Sequence, residues 1–440
     1  MGKAQIAKRH IDVLSPPVLF GGMYLFLYGL GAIDVVLFQD TGVLRLWRVF
    51  SAWQGISLYA IIYISLGFAL FSVGYYLSIG CKIATPLKKI TSAFTFVQAR
   101  SFIVPAALFV VAYFIQIWVY QRFILSRIPG LGGILEQITP NLSFLIIVGD
   151  LVLMAYAFNI WRFMLSRRPE GPKMSHAAKL FLFGVMVPSL AFLLTIGATR
   201  SRIAYFIFVT LLAYHYGYRQ VRARTVVIAG LVVFLVISPM IAILRASEAQ
   251  KQTIVSLKAL AIFSWDVIFT RTTSLEGFTV TFENLGSAPK PDPLWMLVGS
   301  IIPRVYWPDK PWGTLGERFS LWASGRTGAM LTPSLPGELL LHFGFVGGLL
   351  AMFFLGVLWR IAFVALIGSK QRPSAAGFIY ILLLPFSLQA IEGGFVIEYG
   401  ALLRFLVVGL IVFGLACRWR TRSARMTTLV DRGRVANIRM

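Results

Sequence analysis

Residues 303–344 read PRVYWPDKPWGTLGERFSLWASGRTGAMLTPSLPGELLLHFG, and they interrupt a chain that is apolar almost everywhere else. Five prolines, three arginines, two glutamates, an aspartate, a lysine and a histidine stand among tryptophans and glycines. Irregular backbone leaves donors and acceptors that lipid cannot satisfy. The stretch therefore belongs in water, or in a cavity walled by helices. A proline-stiffened, aromatic-rich segment over a helical bundle is a natural place for binding or chemistry; a solvated connecting loop is the plain alternative.

Outward from that stretch the chain is membrane-like. Of its 440 residues, 58% are hydrophobic and 13% charged, and the mean hydropathy is +0.78. This composition is that of a polytopic membrane protein. Lys and Arg number 41 against 17 acids, a formal charge of +24. The basic residues border apolar segments instead of clustering on a soluble domain, which argues against a nucleic-acid partner. Some of them set topology by the positive-inside rule; those on the other side call for an anionic partner. Cys81 and Cys417 both fall near expected cytoplasmic helix ends, so no disulfide is expected. Four scattered histidines without HxxxH or CxxC spacing predict no metal site, and no P-loop, GxGxxG or GxSxG motif points to a cofactor. The basic start, Met1 to His10, precedes an apolar run that reads as a first spanning helix and not as a cleavable signal.

A spanning helix needs roughly 20 apolar residues. Candidates lie at 14–38, 56–79, 102–120, 142–163, 180–197, 203–217, 226–244, 338–358, 376–391 and 401–417. The expected fold is an all-α polytopic integral membrane protein, a bundle of about ten transmembrane helices. Residues 1–244 hold helices one to seven, 245–336 a long outside loop with short helical or re-entrant pieces, 337–417 the last three helices, and 418–440 a basic tail. The piece 294–303 is too short to span and reads as re-entrant or interfacial. Every second connection is basic: Lys82, Lys88, Lys89 and Arg100; Arg167, Arg168 and Lys173; Arg219, Arg222 and Arg224; Arg360, Lys370 and Arg372; then Arg418, Arg420, Arg422 and Arg425. That alternation predicts both termini in the cytoplasm.

The opposite face then carries Arg200 and Arg202 in the short turn GATRSR, with Arg245, Arg271, Arg304, Lys310, Arg318 and Arg326. Structural ion pairs explain some of these. As a set they suit a bound anion, because guanidinium offers phosphate a planar bidentate fork. Glu338 and His342, four apart near a helix start, share one helix face. Glu338 is expected either to serve as a first-turn anion or to stand at a water-filled mouth as a general base, with His342 as its partner. Glu392 and Glu398 in EGGFVIEYG read as flanks of a turn, with contacts to sugar hydroxyls as the functional alternative. Trp307, Trp312 and Trp322 suit sugar stacking or simply a membrane interface. Asp34, inside the first span, should face the bundle or lie near the interface.

IPRVYWPDKPWG, followed by PSLPGELLLHFGFVGGLL, resembles the periplasmic loop and following helix of Wzy-type O-antigen and exopolysaccharide repeat-unit polymerases. TRSR resembles that family's arginine turn, and the likeness covers roughly residues 197–350. On the matching positions, Arg200 and Arg202 take the arginine turn. Pro303, Arg304, Pro308, Lys310 and Pro311 take the loop motif, and Glu338, Phe343, Gly344 and Gly347 the helix start; His342 matches no fixed position. The resemblance implies a GT-C-like glycosyltransferase of the bacterial inner membrane. It would join undecaprenyl-diphosphate-linked oligosaccharide units, donor and acceptor alike, on the periplasmic face without a metal, with the lipid diphosphate leaving. A chain-length regulator and a flippase are the implied partners, beside membrane lipid. An O-antigen ligase acting on lipid A-core, or a flippase or exporter of the same lipid-linked sugars, remains as an alternative.

Overall fold

The computed structural model describes residues 12–29, 32, 57–96, 100–125, 142–191, 200–232, 274–299, 302, 306–307, 315–325, 331–368 and 374–419. Among these, fourteen α-helices, three π-helical turns (the last, Phe363–Ile367, ending the helix before it) and one pair of three-residue strands account for the regular structure. In chain order the helices begin with α1 (Pro16–Tyr24), which continues as a π-helical turn, Leu25–Gly29. Next come α2 (Leu58–Tyr76), α3 (Ser78–Ser92) and strand β1 (Phe94–Phe96). They are followed by α4 (Arg100–Leu125), α5 (Leu142–Ser166), α6 (His176–Leu180, extended by the π turn Phe181–Met186), α7 (Arg200–Gly217) and α8 (Ala223–Val232). Three short helices, α9 (Ser274–Glu283), α10 (Met296–Gly299) and α11 (Leu315–Ser324), precede α12 (Ser334–Ala362), α13 (Gly377–Gly393), α14 (Phe395–Ala416) and strand β2 (Cys417–Trp419).

Three helical stretches are long and apolar enough to cross a membrane, Leu58–Tyr76, Ser334–Ile367 and Phe395–Ala416, and five shorter apolar helices accompany them. Together they mark a multi-pass membrane protein. Large apolar side chains are exposed along these helices, among them Ile62, Phe114, Val346 and Ile411. Water would penalise that surface and hydrocarbon does not.

Ring contacts give the helix directions. Phe20 stacks on Phe71 at 4.2 Å and Tyr24 meets Phe68 at 5.5 Å, so α1 and α2 are antiparallel. Tyr205 meets Phe386 and Tyr216 meets Tyr380, which sets α7 antiparallel to α13. Phe386 on Phe405 and Phe378 on Phe413 do the same for α13 and α14. Tyr156 on Phe206, with Trp161 against Gly217, makes α5 and α7 parallel.

These directions bring the described basic residues of the connections to one end of the bundle; Lys370, Arg372, Arg420, Arg422 and Arg425 lie outside the described residues. At that end Arg168 donates to the carbonyls of Tyr216 and Gly217, a basic side chain closing a helix C-terminus. His215 bonds Asp12 at 2.9 Å while its Nδ1 accepts the N–H of Val221, which leaves the proton on Nε2. Arg360 donates to the Cys81 sulfur, and β1 pairs antiparallel with β2. The described start and end of the chain, Asp12 and Trp419, therefore share this basic end.

A glycine seam joins α2 to the later part of α12, which run parallel. A Cβ on Gly74 would lie 2.1 Å from the Phe353 carbonyl oxygen, and one on Gly356 would lie 2.0 Å from that of Phe71. Small residues let two backbones approach in lipid, where packing replaces the hydrophobic drive.

Some expected boundaries shift. Residues 338–358 do not form one straight span: Gly344 has φ 69°, ψ −173°, and the helix breaks there. The chain doubles back at this point, since a Cβ on Gly348 would sit 3.3 Å from the carbonyl of Leu339. Tyr63 secures the break by donating to the Phe345 carbonyl at 3.1 Å. Only glycine takes that φ without strain, a backbone requirement that hydropathy does not register. The last span begins at Phe395, not at 401, because Glu398 is taken into its first turn. The piece 294–303 carries the short helix α10, with Leu294, Trp295, Val298 and Ile302 exposed.

Candidate functional site

The short helical arm 334–343 carries the pair that sequence singled out. It starts abruptly: Ser334 holds φ 67°, rare for a residue with a side chain, and Pro336 fits the first turn. Ser334 through Leu340 are all buried.

Glu338 is 2% exposed. It is neither at an open mouth nor the first-turn anion of its own helix. Its two oxygens accept the backbone N–H groups of Phe395 and of Val396, the latter at 3.1 Å. It therefore caps α14, whose start has no side-chain cap of its own. A helix start leaves several N–H groups orphaned and carries partial positive charge, so a buried carboxylate there satisfies both. Gly394 makes the approach possible. Its φ is 100°, and a Cβ would stand 2.5 Å from Glu338 Oε2.

His342 lies with its Nε2 3.7 Å from Glu338 Oε1, beyond hydrogen-bond reach, and its side chain is 7% exposed. That nitrogen is buried and has no hydrogen-bond partner. Buried polar atoms are nearly always paired, so an exception calls for a reason. The two side chains do share one face, as their spacing predicts.

Other polar groups close round them. The Thr332 hydroxyl donates to the Glu392 carbonyl. Glu398 packs beside Gly393, where a Cβ would be 2.7 Å from its Oε1, and accepts from Gln389 at 3.2 Å. The turn Gly393–Gly394 thus has one carboxylate against each glycine. Tyr28, on the π-helical turn after α1, and Ser334 each bury a hydroxyl that has no hydrogen-bond partner among the described residues. Sequence reading missed Tyr28, whose apolar surroundings read as ordinary span. It also missed the cap on α14, for which the consecutive glycines of EGGF were the only signal.

Arg200 and Arg202 stand in the first turn of α7, not in an open turn. Because α7 is antiparallel to α13, that turn lies at the end of the bundle where α13 finishes with Glu392. Arg245, Arg271, Arg304, Lys310 and Arg326 lie outside the described residues, as do Asp34, Trp312 and the loop motif's prolines Pro303, Pro308 and Pro311. Arg318 has a structural partner: it pairs with Asp292 at 2.5 Å, and Asp292 also accepts the N–H of Leu315 at the start of α11. Trp307 stacks on Trp295 at 5.3 Å, and Trp322 packs on Phe319.

Glu338→Gln tests the cap. An amide has one acceptor oxygen for two N–H groups and turns a donor at the other. The expected loss is about 1–3 kcal/mol, the cost of one buried unsatisfied group, seen as a lower melting temperature of the purified protein. An unchanged melting temperature would mean that Glu338 does not hold α14.

No family model matches this chain, and no curated protein or solved structure is significantly similar to it.

Proposed function

We propose that the chain is a membrane glycosyltransferase that polymerises undecaprenyl-diphosphate-linked oligosaccharide units, with its basic end in the cytoplasm and the Glu338 end facing the periplasm of a bacterial inner membrane. The observation that supports it most is the buried Glu338–His342 pair, at the same end of the bundle as the helix turn bearing Arg200 and Arg202. The motif likeness of residues 303–344 to repeat-unit polymerases supports the substrate class.

In this reading a hydroxyl of the incoming unit attacks the anomeric carbon of the growing chain. The bond from that carbon to the diphosphate oxygen breaks, and the lipid diphosphate leaves with the electron pair. Arg200 and Arg202, with Arg245, Arg271, Arg304, Lys310 and Arg326 as further candidates, neutralise the charge gathering on it. Glu338 is committed to backbone N–H groups, so the base is His342. A carboxylate beyond Nε2 favours the tautomer protonated there and leaves the Nδ1 lone pair to take the hydroxyl proton. Glu338 steadies the imidazolium that results.

Deletion of the gene, followed by gel analysis of surface polysaccharide, tests the reading. A polymerase leaves a single repeat attached to the core. Loss of all attachment indicates a ligase, and lipid-linked units trapped inside the cell indicate a flippase. Within the polymerase reading, Arg200→Ala and Arg202→Ala each lower polymer roughly 10²–10³-fold at unchanged protein level. Arg200→Lys rescues poorly, because a point charge does not replace the bidentate fork. A full ladder from the double alanine variant would remove both from the mechanism.

A further inference from the structure

Helix α3 carries a surface that neither the fold nor the proposed reaction uses. It follows the membrane-span candidate α2 across a kink at Leu77, whose backbone is extended. One face is packed: Gly80 and Ala84 are buried, a Cβ on Gly80 would lie 2.8 Å from the Arg360 side chain, and Thr91 donates to the Ala365 carbonyl. These contacts fix the helix's rotation. A second face then stays uncovered. Ile79, Ile83, Leu87 and Ile90 recur at helical spacing and are between 43% and 51% exposed. Beyond this stripe Lys82 and Lys89 are exposed, with Lys88 partly so.

No acid occurs anywhere from Thr41 to Leu135, and the ion pairs among the described residues involve none of the three lysines. The same end of the bundle exposes Arg219, Arg222 and Arg224, together with Tyr76, Tyr214 and Tyr218. Tyrosines exposed at one end of an apolar bundle suit the level of lipid headgroups.

We propose that α3 lies in the membrane interface and binds the headgroups of anionic phospholipids, its isoleucine stripe in the acyl region and its lysines on the phosphates. A helix with an apolar stripe and lysines beside it is suited to that position. Charge complementarity selects the occupant. A second copy of the chain would bring identical cations together, which is repulsive. An anionic leaflet attracts them, roughly fivefold in binding for each lysine.

The test uses the full chain in a neutral maltoside detergent, titrated with didecanoyl phosphatidylglycerol or the matching phosphatidylcholine. Bound lipid is counted by native mass spectrometry. Lys82→Gln, Lys88→Gln and Lys89→Gln together should lower phosphatidylglycerol affinity at least tenfold, on the scale of fivefold for each charge. Phosphatidylcholine binding should not move, and the triple arginine variant should bind as the wild type does. Undiminished phosphatidylglycerol binding in the glutamine variant overturns the proposal. So does a dimer in neutral detergent that Ile83→Gln with Leu87→Gln dissociates, which would make the face a contact between copies. Neither outcome bears on the polymerase reading, whose site lies at the other end.

Discussion

On the proposed polymerase reading, the expected result for His342→Ala is insertion at wild-type level and no polymer. His342→Gln, which keeps bulk and polarity but cannot accept a proton at neutral pH, behaves the same way. Loss of a general base lowers rate on the order of 10²–10⁴-fold, enough to empty a polysaccharide ladder. The competing account makes His342 a piece of packing against Phe343, whose ring lies 5.6 Å away. On that account glutamine substitutes tolerably. The imidazole Nε2 forms no hydrogen bond, so truncation breaks none and leaves no partner stranded. Folding and function are therefore separable at this position, as they are not at Glu338. The measurement is ladder intensity divided by protein in the membrane. A normal ladder from His342→Gln would move the search for a base to Glu398 and Glu392, across the turn at Gly393.

Gly356→Leu is expected to prevent the bundle from assembling. The new Cβ would stand 2.0 Å from the Phe71 carbonyl oxygen and 2.9 Å from the Tyr75 nitrogen. Both are backbone atoms, so no rotamer change makes room and the two helices must part. Overpacking against movable side chains already costs about 1–3 kcal/mol. Here the separation also opens the seam from Gly67 to Gly80, with the loss of its dispersion contacts. Gly414→Leu is the control, because a Cβ there meets nothing within 4 Å. Monodispersity after detergent extraction distinguishes them: the Gly356 variant aggregates and the Gly414 variant elutes as the wild type does. A monodisperse Gly356→Leu protein would mean that α2 and α12 do not meet through this seam.

The family likeness rests on sequence alone, on PRVYWPDKPWG and PSLPGELLLHFG; the choice of His342 over Glu338 as the proposed base rests on the fold, which commits Glu338 to the start of α14. Hydropathy and charge by themselves determined the all-α class, the membrane-crossing character and most helix positions. Long apolar runs carry enough transfer free energy to define a helix with no tertiary information, and basic residues mark which connections share a side. Spacing alone determined that Glu338 and His342 share a face, since i and i+4 meet on any helix. What the carboxylate does was decided only by the tertiary structure. Its ligands, Phe395 and Val396, lie 57 and 58 residues further on, and nothing local distinguishes a glutamate that caps its own helix from one that caps another. The reversal at Gly344 and the approach at Gly394 were likewise invisible in composition, for they depend on backbone angles and on the absence of a Cβ. The neighbours that make those absences necessary come from distant parts of the chain.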